Sequence, residues 1–309
     1  MKDSTKPYIA LSLTCLIWGT TYLVNKVGVG LIPPFLFTSV RHAISGIIML
    51  SLVFIFQKEK WPSRKYLMFQ ALLGFFLLTI GNGIGVIGLK YIDSGLSAIL
   101  AATSPILISL LVHRYTPQDK IGPIAWIGMF IGFIGLLIIC VDKIKFPLHL
   151  DSNFIGISLT LISVLSWGGA SVLSKTKNYQ SSPFMAAGFQ MIFGSLPLGF
   201  VSIFIEDHSQ FHITNDIIGV WIYIIILGSL VAYSSYIYAL KHLPAPIVSV
   251  QSYINPIIAM QLGYFVLGEV FSSKLIIGSI LTLIGVFVLN YSEFKRKKKI
   301  NTQVLEKSL

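Results

Sequence analysis

Apolar residues run along the chain in long stretches that short clusters of charged and turn-forming residues separate. A helix needs about 20 apolar residues to cross the hydrocarbon core of a bilayer, and these stretches have that length. They are continuous rather than alternating, which favours membrane helices over the strands of a membrane barrel. The pattern predicts an all-α integral membrane protein whose roughly ten spans cover residues 8–25, 34–56, 66–89, 94–113, 122–141, 153–174, 184–205, 217–240, 246–267 and 274–291.

Composition supports a membrane protein, since 54% of the 309 residues are hydrophobic and only 11% are charged. A soluble domain carries roughly a quarter charged residues. The net charge of +11 could suggest nucleic acid, but the basic residues cluster between apolar stretches and at the C-terminus. The bilayer is therefore an expected partner and nucleic acid is not. Cys15 and Cys140 lie inside apolar stretches without the spacing of a metal site or a disulfide framework, and no cofactor is expected.

The distribution of lysine and arginine predicts the orientation of the spans. Most basic residues fall in alternate loops such as 57–65 and in the C-terminal tail, whereas the opposite loops hold only Lys26, Lys90, Lys143, Lys145 and Lys274. Loops rich in positive charge remain in the cytoplasm. We therefore expect a multi-pass membrane protein with both termini cytoplasmic and an even number of spans.

The sequence repeats itself at a spacing of about 150 residues. Residues 15–26, CLIWGTTYLVNK, match residues 164–175, VLSWGGASVLSK, and residues 88–111 match residues 239–262. Each half holds about five predicted helices, an odd number, so the second half enters the membrane from the opposite side. This inverted-topology repeat is typical of secondary transporters.

The repeat also predicts the domain boundaries. One five-helix unit covers residues 1–146, the second covers 147–295, and residues 296–309 form a basic cytoplasmic tail.

Several motifs carry a resemblance to a known family. They are the Trp-Gly pairs at Trp18 and Trp167, the proline-bearing segments SPILISLL and NPIIAMQLGYFVLGE, and the glycine-rich segments GMFIGFIGLLII and GSILTLIGVFVL. With these motifs the chain resembles the drug/metabolite transporter superfamily, in its ten-helix EamA branch. The resemblance implies location in the plasma or inner membrane, and efflux of amino acids or other metabolites. Where that family has a glutamate after the fourth span, this chain reads HRYTPQDK, and Asp119 is the candidate substitute.

Arg41 is a charged residue well inside a predicted span. A charge at such a depth costs roughly 2.5 to 3.5 kcal/mol on insertion scales, so it needs water or a partner. Thr38 and Ser45 share its helical face, which suggests a polar cavity where Arg41 pairs with Asn82 or Gln190 or holds an anionic solute. The alternative is that Arg41 snorkels outward to the lipid headgroups.

Other polar and aromatic residues inside the spans extend this predicted cavity, although each alone could equally bond two helices together. The complete set of predicted substrate-binding residues is Trp18, Arg41, Asn82, Trp167, Gln190, Tyr233, Gln251, Tyr253 and Asn255.

Two pairs of residues are candidates for roles in conformational change, one pair as hinges and the other as gates. Pro105 and Pro256 match in the repeat and should kink their helices, which makes them candidate hinges. Asp119 and Glu269 lie at equivalent helix junctions and are candidate gating residues. Solvated loop acids or partners of helix N-termini are the alternative for both carboxylates.

The sequence therefore predicts a secondary transporter of a small organic solute, an amino acid or related metabolite, that works by alternating access. The alternative is a membrane enzyme acting on a lipid or isoprenoid substrate, but the chain has no HExxH or paired-aspartate motif. A GxGxxG match at 83–88 lies inside an apolar span and does not indicate a dinucleotide site. We expect no enzymatic activity. Whether two copies form a homodimer is left open.

Overall fold

The regular structure of this protein is helical. The computed structural model describes residues 5–115, 122–143, 151–174, 181–209, 211–243, 245–248 and 251–307. Over these ranges it contains helices and no strand, so the predicted all-α membrane fold is confirmed.

The helices are numbered α1 to α10 in chain order over the described residues. The first half contains α1 (Thr5–Leu31), α2 (Pro34–Gln57), α3 (Arg64–Gly88), α4 in two segments (Ser94–Ala101 and Ser104–Tyr115) and α5 (Pro123–Lys143). The second half contains α6 (Ser152–Ser174), α7 (Pro183–Ile205), α8 (Asn215–His242), α9 in two segments (Ala245–Val248 and Gln251–Leu267) and α10 (Ser273–Lys307). Among the described residues, seven helices are long and apolar enough to cross a membrane. The shorter apolar stretches Ser94–Leu107 and Pro123–Ile139 lie in α4 and α5.

Two helix ends differ from the sequence prediction. The pattern predicts an end of the first span at residue 25, but α1 continues to Leu31 because Lys26 does not interrupt the helix. The Lys26 ammonium donates to the carbonyl oxygens of Leu89 and Ile92, at 2.7 and 2.8 Å. These bonds satisfy its charge, so the helix does not need to end at Lys26. The last helix continues past residue 291 to Lys307, through the basic segment after its apolar part.

Large apolar side chains on the outer faces of the bundle are exposed, among them Phe130, Phe200, Ile203, Phe204 and Phe265. Buried positions include polar residues such as Thr38, Ser45 and Thr282. A soluble protein shows the reverse distribution, whereas a lipid-facing surface is apolar and polar groups face the interior. The helix bundle is therefore suited to a bilayer.

Glycines bring α5 and α10 into close contact. A Cβ on Gly128 would lie 2.7 Å from the carbonyl oxygen of Gly285, and a Cβ on Gly135 would lie 2.6 Å from that of Gly278. The repeat aligns Gly128 with Gly278 and Gly135 with Gly285, so the antiparallel contact maps onto itself when the halves are exchanged. Small residues allow such close backbone contact between membrane helices.

The first helix of each half contacts the third helix of the other half. Thr14 of α1 donates a hydrogen bond to the carbonyl oxygen of Ala232 in α8, at 3.2 Å. Its repeat counterpart, Ser163 of α6, donates to the carbonyl oxygen of Gly81 in α3. These matching bonds tie the two halves together around the centre of the molecule.

Candidate functional site

A cavity of about 160 Å³ lies between the two halves, and we call it the central cavity. Seven helices line it: α1, α2, α3, α4, α6, α8 and α9. It brings together most of the predicted binding residues, namely Trp18, Arg41, Asn82, Trp167, Tyr233, Gln251 and Asn255. Tyr22, His42 and Ser163 also line it, although the sequence pattern did not single them out as binding residues.

Arg41 is 4% exposed and lines this cavity. Its Nε donates to the Ser229 hydroxyl at 2.9 Å, and its Nη1 donates to the Asn25 side-chain oxygen at 3.1 Å. The predicted pairing with Asn82 or Gln190 is therefore wrong, because those two amides are bonded to other side chains. A side chain this buried is also not in the extended, surface-reaching arrangement that snorkelling requires.

The predicted companions of Arg41, Thr38 and Ser45, do not face the cavity. Their hydroxyls donate to the carbonyl oxygens of Pro34 and Arg41 in the same helix, at 2.8 and 2.7 Å. Hydroxyl groups in membrane helices often satisfy themselves in this way. The periodicity of α2 placed these residues on one face correctly but could not show which bonds they make.

Two buried atoms at the central cavity have no hydrogen-bond partner among the described residues. His42 Nε2 contacts the Asn82 side-chain oxygen at 3.0 Å, while His42 Nδ1 is unpartnered. The Gln251 side-chain oxygen is unpartnered as well. Buried polar atoms are normally paired, so unpaired ones in a cavity wall are suited to a ligand. In the described part of the chain, no three His, Cys, Asp or Glu side chains are arranged to hold a metal ion.

An aromatic cluster, consisting of Trp18, Trp167, Tyr233 and Tyr236, lies beside the central cavity, and all its members except Tyr236 line the cavity. The rings of Trp18 and Trp167 meet edge to face, with centroids 5.6 Å apart and planes at 80°. Tyr236 packs against both tryptophans, at 5.0 and 5.6 Å, and Trp167 lies 6.1 Å from Tyr233. The two Trp-Gly pairs of the sequence repeat thus meet at the centre of the molecule.

The third helix of each half contains a widened π-helical segment beside the cavity, at Phe75–Ile84 in α3 and Ile224–Val231 in α8. Such segments weaken the regular hydrogen-bond ladder and occur often at functional sites. Here the Gly228 carbonyl oxygen accepts a bond from Trp18 Nε1 at 3.2 Å, and the Phe76 carbonyl oxygen accepts one from Ser166 at 2.6 Å. Sequence periodicity did not reveal these segments, since one extra residue in a turn leaves the apolar run unbroken.

Gln190 does not line the central cavity. It lines a second cavity of about 420 Å³ together with Tyr66, Gln70, Ser181 and Lys241, and we call this the vestibule. The Tyr233 hydroxyl donates to the Gln190 side-chain oxygen at 2.5 Å, and the Gln190 side-chain nitrogen donates to Gln70 at 2.7 Å. Since Tyr233 lines the central cavity, the Tyr233–Gln190–Gln70 chain separates the two cavities.

The remaining predicted binding residues, Tyr253 and Asn255, and the two predicted hinge prolines lie in α9 and α4. The Tyr253 hydroxyl donates to the Val286 carbonyl oxygen of α10 at 2.6 Å, so this tyrosine packs between α9 and α10 and not at the central cavity. Asn255 lines the cavity, and with its amide nitrogen turned toward α1 it donates to the Cys15 carbonyl oxygen at 2.9 Å. Pro256 lines the cavity within α9. Pro105 is buried and follows the break between the two segments of α4.

Carboxylates close one end of the bundle, which we call the Lys26 end. Glu269 is 8% exposed, and its carboxylate accepts from the backbone N–H groups of Ser94 and Gly95 at 2.7 and 3.2 Å. Glu269 is therefore a partner of the α4 N-terminus rather than a solvated loop acid. Gly268, with φ +65°, provides the turn before it. Asp119, the other predicted gating residue, lies outside the described residues.

Glu206 makes an equivalent contact that the sequence pattern did not reveal. Its two carboxylate oxygens accept from the backbone N–H groups of Phe35 and Leu36, at 2.7 and 2.9 Å, at the start of α2. The available signal was the proline at the start of α2, which marks a helix N-terminus with donors that need an acceptor. Which distant carboxylate supplies that acceptor depends on the packing.

At the opposite end, which we call the Tyr66 end, the described side-chain contacts involve hydroxyl and ammonium groups. The Ser181 hydroxyl donates to the Tyr66 hydroxyl at 3.2 Å, and the exposed Lys241 ammonium donates to the Ser181 carbonyl oxygen at 2.8 Å. The vestibule lies at this end. Among the described residues, no carboxylate bonds the N-terminus of another helix here.

Comparison with known proteins matches the EamA-like transporter family twice, over residues 5–141 and 154–291. The chain is 27% identical to the uncharacterized inner membrane transporter YedA of Escherichia coli, over 85% of this chain and 83% of that protein. It is 26% identical to the uncharacterized transporter YoaV of Bacillus subtilis, over 95% of this chain and 99% of that protein. A crystal structure with 18% identity superposes with a TM-score of 0.64 over 92% of this chain and 96% of its own, which shows a shared fold.

Proposed function

The chain belongs to the EamA-like transporter family, and from this premise we propose that it moves a small organic solute across the cell membrane by alternating access. The solute is an amino acid or a related metabolite, and export is the favoured direction. The observation that carries this proposal is the central cavity, which both halves of an inverted repeat enclose and whose lining includes a buried arginine and two side chains with an unpaired polar atom. Inverted repeats of secondary transporters hold their substrate at the repeat interface in this way.

The unequal closure of the two ends supports a rocking mechanism. At the Lys26 end, the ammonium of Lys26 and the carboxylates of Glu206 and Glu269 join separate helices. At the Tyr66 end, the side-chain contacts of Tyr233, Gln190 and Gln70 separate the cavity from the vestibule. We assign the Tyr66 end to the cytoplasm because the adjoining loop carries Lys58, Lys60, Arg64 and Lys65. In this arrangement a cytoplasmic solute enters through the vestibule, and export follows when the carboxylate contacts release.

Solute exchange in reconstituted vesicles tests the transport activity. Purified protein in liposomes is preloaded with one unlabelled amino acid or hydroxy or keto acid at a time, and uptake of the same labelled compound is measured. We expect saturable exchange of at least one compound above that of protein-free liposomes. Trp18→Ala should reduce the exchange severalfold because it removes part of the cavity wall, while Trp61→Ala serves as the control because Trp61 is exposed at the Tyr66 end. Equal exchange in protein-containing and empty liposomes for the whole panel would refute transport of this solute class.

A further inference from the structure

The central cavity carries an unbalanced positive charge. Arg41 is the charged side chain among its described lining residues, and no Asp, Glu or Lys lines the cavity with it. The bonds to Asn25 and Ser229 occupy Nε and one hydrogen of Nη1. The remaining N–H groups of the guanidinium bond no other described residue, so they are available to a solute. A buried charge without a counter-charge is costly, and an anionic solute would supply that counter-charge.

A planar guanidinium favours a carboxylate as this anion. Arginine presents its N–H groups in a fixed fork that matches the two oxygens of a carboxylate. A monoanion makes the net charge of the loaded cavity zero. A zwitterion places its carboxylate on Arg41 but adds an ammonium, and the described lining offers no carboxylate to balance that second charge.

Two unpaired acceptors in the cavity wall select a second feature of the solute. With Nε2 of His42 donating to Asn82, the Nδ1 atom of the neutral ring is an acceptor, and it has no partner. The side-chain oxygen of Gln251 is a second acceptor without a partner. His42 is 2% exposed, so its ring lies in the protein interior. A solute with a neutral O–H donor near its carboxylate would satisfy one of these acceptors, and a plain fatty acid would leave both unpaired.

The remaining wall is aromatic and the space is limited. Trp18, Tyr22 and Trp167 supply flat apolar surface. The cavity volume is about 160 Å³, at the small end for a ligand site. The rest of the solute should therefore be a short aliphatic or single aromatic group.

We infer that the solute is a small monoanionic 2-hydroxy carboxylate, with its carboxylate on Arg41 and its hydroxyl donated to His42 or Gln251. This inference rests on the proposed transport function and narrows its substrate class. It differs from the expectation of a zwitterionic amino acid, since the charge of the cavity disfavours a second cation.

Three probes that differ only at C2 test the inference. They are 2-hydroxy-4-methylpentanoate, leucine and 4-methylpentanoate, which carry a hydroxyl, an ammonium and a hydrogen at this carbon. Binding to the purified full chain in detergent is measured by calorimetry. We expect the affinity of the hydroxy acid to be about ten-fold or more above that of either other probe. Neither other probe has the hydroxyl at C2, and a buried acceptor left unpaired is costly. Leucine binding equally well or better would overturn the inference.

Arg41→Gln tests the role of charge separately from that of shape. This change removes the charge but keeps an amide that can bond Asn25 or Ser229. Binding of 2-hydroxy-4-methylpentanoate should fall about ten-fold or more, and the neutral 2-hydroxy-4-methylpentanamide should then bind better than the acid. A purely structural role for Arg41 would weaken both probes equally. Arg64→Gln is the matched control, since Arg64 is exposed at the Tyr66 end and should leave both affinities unchanged.

Further outcomes keep the inference separate from the proposed function. If Arg41→Gln does not fold, Gln251→Leu takes its place and should reduce the preference for the hydroxy acid over 4-methylpentanoate. An unchanged preference in both Gln251→Leu and His42→Phe would contradict the assigned acceptors. Exchange of leucine, without binding of the hydroxy acid, would overturn the inference and leave the transport function intact. Failure of every compound to exchange would overturn the proposed transport of this solute class.

Discussion

Single polar residues around the central cavity fall into two groups by the bonds they make. Asn25, Ser229 and Asn255 use their polar atoms to join helices, as membrane proteins commonly do. His42 and Gln251 keep an unpaired acceptor. A buried polar atom without a partner costs more than an exposed one. The second group is therefore where we propose that a solute bonds.

Tyr233 provides a residue-scale test of the separation between the cavity and the vestibule. Tyr233→Phe removes the hydroxyl that donates to Gln190. One such bond contributes about 1 kcal/mol, which corresponds to roughly a five-fold change in the population of an open state. We expect a cysteine introduced at Ala101, in the cavity wall, to react with a maleimide added at the Tyr66 end roughly five-fold faster.

The labelling needs a protein without its native cysteines, so Cys15→Ala and Cys140→Ala are included in every sample. Tyr253→Phe is the matched control, because it also removes a tyrosine hydroxyl bond but at the α9–α10 contact. The cysteine at position 101 should react in this variant at the same rate as in the protein that keeps both tyrosines. Equal rates for Tyr233→Phe and Tyr253→Phe would contradict a gating role for Tyr233.

The helices that enclose the central cavity include segments that can change shape. The widened segments of α3 and α8, at Phe75–Ile84 and Ile224–Val231, lie at corresponding places in the two halves. Each accepts side-chain bonds from the first helix of the opposite half. Helix segments with a weakened internal ladder can change shape at lower cost than regular helices. Movement of the two halves is therefore expected to concentrate at these segments, while the glycine contact of α5 and α10 holds the other side of the bundle.

The contact between the α9–α10 loop and α4 provides an element-scale prediction. Glu269→Gln keeps one acceptor oxygen but removes the negative charge from the N-terminus of α4, an interaction of about 1 kcal/mol. The Lys26 end should then open roughly five-fold more often. Labelling of the Ala101→Cys probe from the Lys26 end should be faster by that factor. Solute exchange should be slower, and the protein should still fold.

Asp151→Asn is the control for this experiment. The Asp151 carboxylate accepts from the Phe154 backbone N–H at 2.8 Å, so it caps its own helix α6 and joins no second helix. Its replacement should leave the labelling rate unchanged. If Glu269→Gln behaves like Asp151→Asn, the Glu269 contact has no part in closing the Lys26 end.

Two inverted halves determine the arrangement of the whole molecule. Matching bonds from Thr14 and Ser163, and the self-matching glycine contact of α5 and α10, relate one half to the other. An exchange of conformation between the halves would turn a cavity that opens at one end into one that opens at the other. In the proposed mechanism, the different contacts at the Lys26 and Tyr66 ends would set which state is favoured.

Topology is the prediction at this scale. Reporter proteins fused at residues 60 and 300 should both report the cytoplasm, because basic residues concentrate at these two places. A fusion at residue 208, in the loop at the Lys26 end, should report the outside. An external signal from residue 60 or 300 would contradict both the orientation and the even number of spans.

The sequence by itself determined the helices, their number and their pairing into two halves. Apolar runs of membrane-spanning length admit only helices, because no water is available to the backbone inside a bilayer. The repeat aligns Trp18 with Trp167, and the two rings meet at the centre of the molecule. Periodicity also placed Arg41 on a polar face of its span, but only the structure, in which it is 4% exposed, showed that it lies in the interior.

Only the tertiary structure decided which interior residues share the cavity. Gln190 and Tyr253 lie inside spans as predicted, yet one bonds across the vestibule and the other packs against α10. His42, which follows Arg41 along α2, lines the cavity instead. A helix surrounded by other helices has several buried faces, and periodicity cannot tell which of them meets a neighbour and which meets a void. That choice depends on how the helices cross, and in this protein the crossings depend on glycine contacts and on carboxylates that bond the start of a distant helix.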